Sequence, residues 1–381
     1  MMGWNFLKRD LIVREPLLVG MLVLVTIAFS ALTHAYSRAY DQHRARLGAD
    51  WFERGKAELA NHRPGAAVED FRTALVYAPR NWDFGMHLAD ALTRAGHSEQ
   101  AFNYYLALWQ NSPSSGAVNL QLARLSAQKG NSAAAESYFN GAIFGEWPED
   151  APANRRTALL ERVSFYLDRG DTDHALSQLM ILSDNLPEDP RLHLRVAELY
   201  SRVGDDRRAL NEYRRATELN PEDARAFGGA GEASFELGEY QTAEEYLDRS
   251  LELEPSNPSA KRLLALTRSV VSLNPYQQGI TEAERIRRAL RVFDIAGNRL
   301  ASCAAAADAA DRPLLEALRQ RWEQRKATAS QRFLAEHPEE IDTLLNFAAD
   351  AEKTAASGCQ EPGPDDSALL AIAHQREGPR R

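Results

Sequence analysis

Six alanines, Ala67, Ala101, Ala135, Ala175, Ala209 and Ala243, stand 34, 34, 40, 34 and 34 residues apart. A fixed period of that length in a helix-rich sequence marks an array of stacked units, each too small to bury its own apolar face. Six frames follow: 48–81, 82–115, 116–149, 156–189, 190–223 and 224–257. A six-residue insertion, Asp150 to Arg155, accounts for the single 40-residue step.

Other positions recur in the same register. Frame position 8 is small: Gly55, Ala89, Ala123, Val163, Ala197 and Gly231. Small residues at 8 and 20 let two helices approach closely. Position 24 is bulky in every block (Phe71, Tyr105, Phe139, Leu179, Tyr213, Leu247), and is expected to fill the space between neighbouring hairpins. Gly96, Gly130, Gly170, Gly204 and Gly238 occupy position 15, where a helix can end in a left-handed residue. Position 32 is proline except at Trp147, and proline there stops the second helix.

This pattern resembles the tetratricopeptide repeat family over residues 48–257. The blocks that carry it best are 48–81, with Trp51, Gly55, Ala67, Phe71, Ala74 and Pro79, and 190–223, with Ala197, Tyr200, Gly204, Ala209, Tyr213, Ala216 and Pro221. Trp147 in place of proline, and His62 in place of the first loop glycine, depart from the family pattern. The resemblance implies an all-α fold, a right-handed α-solenoid of helix-turn-helix repeats. It also implies binding of a protein or peptide in the concave face. In the family's geometry, position 5 of each first helix lines that face, here with Phe52, Met86, Leu120, Leu160 and Leu194. Position 9 adds Lys56, Asp90, Arg124, Glu198 and Glu232, and position 12 adds Phe235 near the end. The apolar stripe suits an amphipathic helix or extended peptide, or simply packs on its neighbours. The late acidic residues suit a basic partner, or form a solvated face. Position 9 has no Asn, so the family's clamp for acidic chaperone tails is disfavoured.

Leu17 to Tyr36 holds no Lys, Arg, Asp or Glu. Twenty helical residues span about 30 Å, the thickness of a bilayer core. The segment reads as a transmembrane anchor over 17–36 after a short tail, 1–16, with Trp4 and Tyr36 or Tyr40 near the interfaces. A cleaved signal peptide is the competing reading, with Thr33-His34-Ala35 as a loose cleavage site. Lys8, Arg9 and Arg14 before the run balance Arg38, Arg44 and Arg46 after it. The short tail and long C-terminal part favour a single-pass inner-membrane protein with its repeats outside the cytoplasm.

Beyond the array, Pro258 to Leu273 is expected to cap the last hairpin. A helical region over 281–358 follows: one helix from the capping box Thr281-x-x-Glu284 to about Ala307, a second that follows Asp311 and extends to about Glu336, and a third with Pro338 near its first position that ends near Ser357-Gly358. Residues 359–381 read as a flexible tail. Cys303 and Cys359 are a possible disulfide if the region is exported, or else two small buried thiols.

The net charge of −9 disfavours nucleic acid as a partner. No phosphate-binding loop, dinucleotide fingerprint, zincin or hydrolase motif occurs, so no catalytic, cofactor or metal residues are assigned. The function expected is a membrane-tethered protein-interaction scaffold. The alternative is a non-catalytic subunit of an envelope enzyme, polysaccharide-assembly or secretion complex.

Overall fold

A computed structural model describes residues 4–184, 186–306, 312–359 and 362–377, with side chains for 19–184, 186–305, 312–357, 359 and 362–374. The side chains of Trp4, Lys8, Arg9 and Arg14, and residues Asp311 and Gln360, lie outside that set. Among the described residues there are eighteen helices and no strand. The chain divides into two compact units, Met1–Arg162 and Val163–Arg381.

The first unit begins with α1 (Trp4–Ala60), one helix of 57 residues. Its stretch from residue 19 into the forties is exposed, and only its last turns pack, against α2 (Pro64–Tyr77). The apolar segment and the first helix of the first repeat are therefore one continuous rod. α3 (Trp82–Arg94) with α4 (Ser98–Asn111), and α5 (Gly116–Gln128) with α6 (Ser132–Phe144), form the next hairpins. α7 (Ala151–Asp168) carries the division between the units; the six inserted residues lengthen this helix at its start.

In the second unit, α9 (Pro190–Val203) pairs with α10 (Asp206–Leu219), and α11 (Ala224–Glu236) with α12 (Tyr240–Leu253); α8 (Thr172–Ser183) packs on α9. α13 (Pro258–Leu273) sets Ala260 and Leu264 against Leu247 of α12.

The periodic residues have visible roles. All six position-20 alanines are fully buried. A Cβ on Gly55 would come within 2.6 Å of the Phe71 ring, and one on Gly231 within 2.6 Å of Leu247. So the bulky position-24 residue is seated on position 8 of its own hairpin, and it also reaches the next one as expected: Phe71 meets His87 at 5.7 Å and Tyr213 lies against Gly229. The five position-15 glycines have φ between 73° and 84°, and His62 adopts φ 56° at the same position. The turn geometry is thus kept where the glycine is missing, at a steric cost.

Helix starts follow the frame as well. At position 34, Asn81, Ser115, Asp189, Asp223 and Asn257 each accept a hydrogen bond from a first-turn N–H of the next helix. At position 16, Asn131, Asp171 and Asp205 do the same for the second helices. The third block differs because Trp147 donates its indole N–H to Ala142 O (2.9 Å) and lies against Gly116, while Gly116 N donates to Glu146 O (2.9 Å). A folded-back tryptophan does there what proline does elsewhere.

The C-terminal region consists of α14 (Glu282–Ala306), α15 (Arg312–Lys326), α16 (Gln331–Glu336), α17 (Glu339–Gly358) and α18 (Pro364–Glu377). Phe293, Trp322 and Phe347 meet at its centre, with centroids 6.0 and 5.8 Å from Phe293. Arg288 fixes the chain that enters it, donating to Val271 O (2.9 Å) and Asn274 O (3.0 Å). Two expectations fail here. The helix expected over 311–336 is two, because Thr328 Oγ1 bonds Arg325 O (3.0 Å) and Ser330 caps α16 by accepting from Phe333 N (3.2 Å). The flexible tail expected over 359–381 contains α18, whose Leu369, Ile372 and Ala373 are buried. Cys303 and Cys359 are paired, with Cα atoms 5.7 Å apart.

Candidate functional site: the face carrying frame positions 5 and 9

In the first unit the aromatic of the first repeat is committed to packing. Phe52 stacks on Phe84 at 4.5 Å and meets His87 edge-on at 4.8 Å. Lys56 lies over the Phe52 ring (5.2 Å) and pairs with Glu53 (2.7 Å). Met86 is half-buried against the same core. Leu120 is buried and Leu160 half-buried, so within this unit position 5 faces the interior more than a ligand.

Position 9 in this unit is compensated. Asp90 accepts a 2.5 Å bond from the Tyr105 hydroxyl. Burial first, then Asp90, push that phenol well above its usual range. Arg124 forms a two-pronged pair with Glu161, its Nε 2.6 Å from Oε2. Neither Tyr105 nor Glu161 was identifiable as a partner from the frame alone, since they sit at positions 24 and 6.

The second unit is different. Leu194 is buried, and Phe235 is half-buried edge-on to Tyr240 at 5.2 Å. Glu198 contacts Arg195 at 3.4 Å on its own helix, whereas Glu232 is exposed. Burial, Asp205 and Glu232 raise the carboxyl of Asp206. The Tyr213 phenol is raised mainly by burial, with Glu198, Glu232 and Asp206 adding to the effect. Glu198, Asp206 and Glu232 therefore share one electrostatic neighbourhood around Tyr213. Asp206 was not among the residues expected there; its position, the second residue after the glycine turn, gave no signal.

Among the described residues no group of three or more His, Cys, Asp or Glu is arranged to hold a metal ion. Among the described residues one helix, over Val19–Ala60, is long and apolar enough to cross a membrane.

Paired antiparallel helices in a 34-residue frame, with small residues at the crossings and a left-handed turn between them, define a helical-repeat protein. Residues 52–116 and 197–258 match the tetratricopeptide repeat family, and the chain carries tetratricopeptide repeats. No curated protein matches it. Among solved structures it is similar to YrrB, described as a tetratricopeptide repeat protein with an unusual peptide-binding site: 18% identity over 51% of this chain and 97% of that one, TM-score 0.41. It is also similar to PilW, a type IV pilus biogenesis factor, at 16% identity over 57% and 98% of the two chains, TM-score 0.46. A tetratricopeptide repeat protein from Parabacteroides merdae aligns at 20% identity over 65% and 91%, TM-score 0.43. Repeats of this kind are protein–protein interaction scaffolds, generally without catalysis.

Proposed function

We propose that this chain is a membrane-tethered scaffold whose second unit binds a basic segment of a protein partner. The observation that carries the reading is the contrast at position 9. In the first unit Lys56, Asp90 and Arg124 each have a partner of complementary chemistry. In the second, Glu198 meets Arg195 of its own helix at 3.4 Å, and Glu198, Asp206 and Glu232 all act on Tyr213 as negative charges, with Glu232 also acting on Asp206. Such a patch lowers the free energy of an incoming Lys or Arg and steers its approach.

The tether rests on α1. Its apolar stretch is exposed along its length and runs without a break into the first repeat. An anchor of this kind confines the repeats to the membrane surface and raises the effective concentration of membrane-bound partners. In this reading the repeats lie outside the cytoplasm.

Charge reversal tests the binding surface. A lysine- and arginine-rich peptide is titrated against the full chain in detergent micelles, followed by fluorescence anisotropy. The pair Glu198→Lys and Glu232→Lys is expected to weaken binding about tenfold or more, in line with ~1 kcal/mol or more per close charge pair. Unchanged affinity would reduce the patch to a solvated face. Placement is tested separately by fusing alkaline phosphatase, or a fluorescent protein that matures only in the cytoplasm, after Arg381. Phosphatase activity alone is expected; fluorescence alone would reverse the orientation.

A further inference from the structure

Where the apolar run of α1 ends, the rod begins to meet the first repeats. Tyr36 closes the run and is exposed, as is Tyr40 one turn further on. Arg44 follows at the next turn, with its guanidinium 6.0 Å from the Tyr40 ring. It donates to Val76 O, in the last turn of α2, at 2.8 Å. One more turn along, Gly48 is buried, and a Cβ there would lie 3.4 Å from Tyr77 Cβ and 3.3 Å from the Phe84 ring. So α2 runs back along α1 and ends level with residues 44–48, and α3 starts at that level too.

The turn between α2 and α3 is therefore brought back towards the apolar run. It is closed by Asn81 N donating to Ala78 O (3.1 Å), and Asn81 Oδ1 accepts from Phe84 N (3.1 Å) to cap α3. Pro79, Arg80 and Trp82 are left on the outside, exposed.

The distances suit a bilayer surface. From Tyr36 to Arg44 the helix rises by about 12 Å. A headgroup layer is about 5–8 Å deep on each side of the hydrocarbon core. Spanning helices tilt by about 20° on average. With α2 packed about 8–10 Å from the α1 axis, a tilt towards α2 lowers the turn by about 3 Å. Arginine side chains close the remaining gap.

The charge of this level is positive. Residues 37–48 and 78–83 hold Arg38, Arg44, Arg46 and Arg80 against Asp41 and Asp83. The corresponding turns of the next two blocks differ. Residues 112–115 are Ser-Pro-Ser-Ser, and 145–150 carry Glu146, Glu149 and Asp150. Exposed apolar side chains accompany both the first and the third turn, Val76 and Trp82 at one and Phe144 at the other. Charge is what separates them.

We infer that the α2–α3 turn is a second membrane contact: Arg44 and Arg80 hold the headgroup phosphates of anionic phospholipid, and Val76 and Trp82 enter the headgroup layer. Phosphate fits the guanidinium fork, and tryptophan favours the membrane interface. An anionic surface repels the acidic turn at 145–150 and attracts this one. The inference rests on α1 spanning the membrane and holds for either orientation of the span. A span and a surface contact fix the rod at two points, so the first hairpin leans on the bilayer instead of standing free of it.

The test places the full chain in nanodiscs containing a headgroup-nitroxide lipid, with phosphatidylcholine alone or with added phosphatidylglycerol. The Trp82 share of the fluorescence is wild type minus Trp82→Phe, a change at an exposed site. Quenching of that share is expected to be about fivefold stronger in the anionic discs, the ratio that about 1 kcal/mol for one basic residue gives. Arg80→Glu should return it to the phosphatidylcholine value, and Arg44→Gln should lower it in part. Co-elution with the discs and unchanged helix content report an intact anchor and fold in each variant. Equal quenching in the two lipids, or the full gain retained in Arg80→Glu, would overturn the contact and leave the tether standing. Shielding of Trp82 that grows with protein concentration and ignores lipid charge would give this face to a second copy and overturn the contact as well. A chain that fails to co-elute with the discs would overturn the tether, and the contact with it.

Discussion

The two units share one 34-residue frame but use its polar positions differently. In the first, position-9 side chains are matched by Glu53, the Tyr105 hydroxyl and Glu161, and Phe52 is locked between Phe84 and His87. In the second, position 9 is acidic and its neighbour Asp206 adds to the charge. The second unit also continues past its hairpins into six further helices, with a disulfide and a half-buried charge cluster. The difference teaches that a repeat frame dictates the backbone and the small residues at the crossings, while the polar positions are free to serve either cohesion or recognition.

The contrast can be broken at several points. The largest effect is expected from the crosslink of the second unit. A bond closing a 56-residue separation contributes roughly 4 kcal/mol in the loop-entropy model. Changing Cys303 and Cys359 together to Ser should lower the unfolding midpoint of the second unit by that order and leave the first unit's exchange protection unchanged. Equal protection of α14 and α17 with and without reductant would show that the bond contributes nothing.

Next in size is Gly297. A Cβ there would fall on the Trp322 indole, whose N–H donates to Phe293 O at 3.2 Å. Gly297→Ala should destabilise the C-terminal helices by about 1–3 kcal/mol through overpacking. Denaturant titration of the intrinsic Trp fluorescence measures it.

In the first unit, Tyr105→Phe removes the donor to Asp90 and leaves a half-buried carboxylate with one bond fewer. A loss of about 1–2 kcal/mol is expected. The smallest effect is at the first turn. His62 at φ 56° stands where the other blocks have glycine, so His62→Gly should stabilise the first hairpin by about 0.5–1 kcal/mol. Thermal unfolding would detect the shift, and no gain would mean that the His62 side chain supports the turn in another way.

Much of the array was legible because it repeats. Ala67 and its five counterparts recur in every block, and the position-15 glycines and position-32 prolines in all but one each, so period alone identified them. What escaped was pairwise or unrepeated. Glu161 matters only because it meets Arg124, and position 6 has no common chemistry across the blocks. Trp147 was visible as a departure, but its folding back onto Gly116 is a contact between residues far apart in the frame. The capping residues at position 34 vary among Asn, Ser and Asp, so no single letter recurs. Past residue 273 there is no period to borrow. There α18 was read as part of a flexible tail because Pro362 and Gly363 precede it and Pro364 opens it, although its burial depends on Leu369 and Ile372 meeting helices from elsewhere in the chain. The break between α15 and α16 is local side-chain chemistry that a count of helix formers does not register.

The most direct test of the division of labour is to ask which unit a ligand touches. A photo-crosslinking residue is placed at Ser201 in the second unit or at Thr93 in the first, both at frame position 12 and both half-buried. The full chain is illuminated with the same lysine- and arginine-rich peptide, and crosslinked product is quantified by mass spectrometry across a salt series. The account predicts strong, salt-sensitive capture at 201 and little at 93. Equal capture at both sites, or stronger capture at 93, would contradict it.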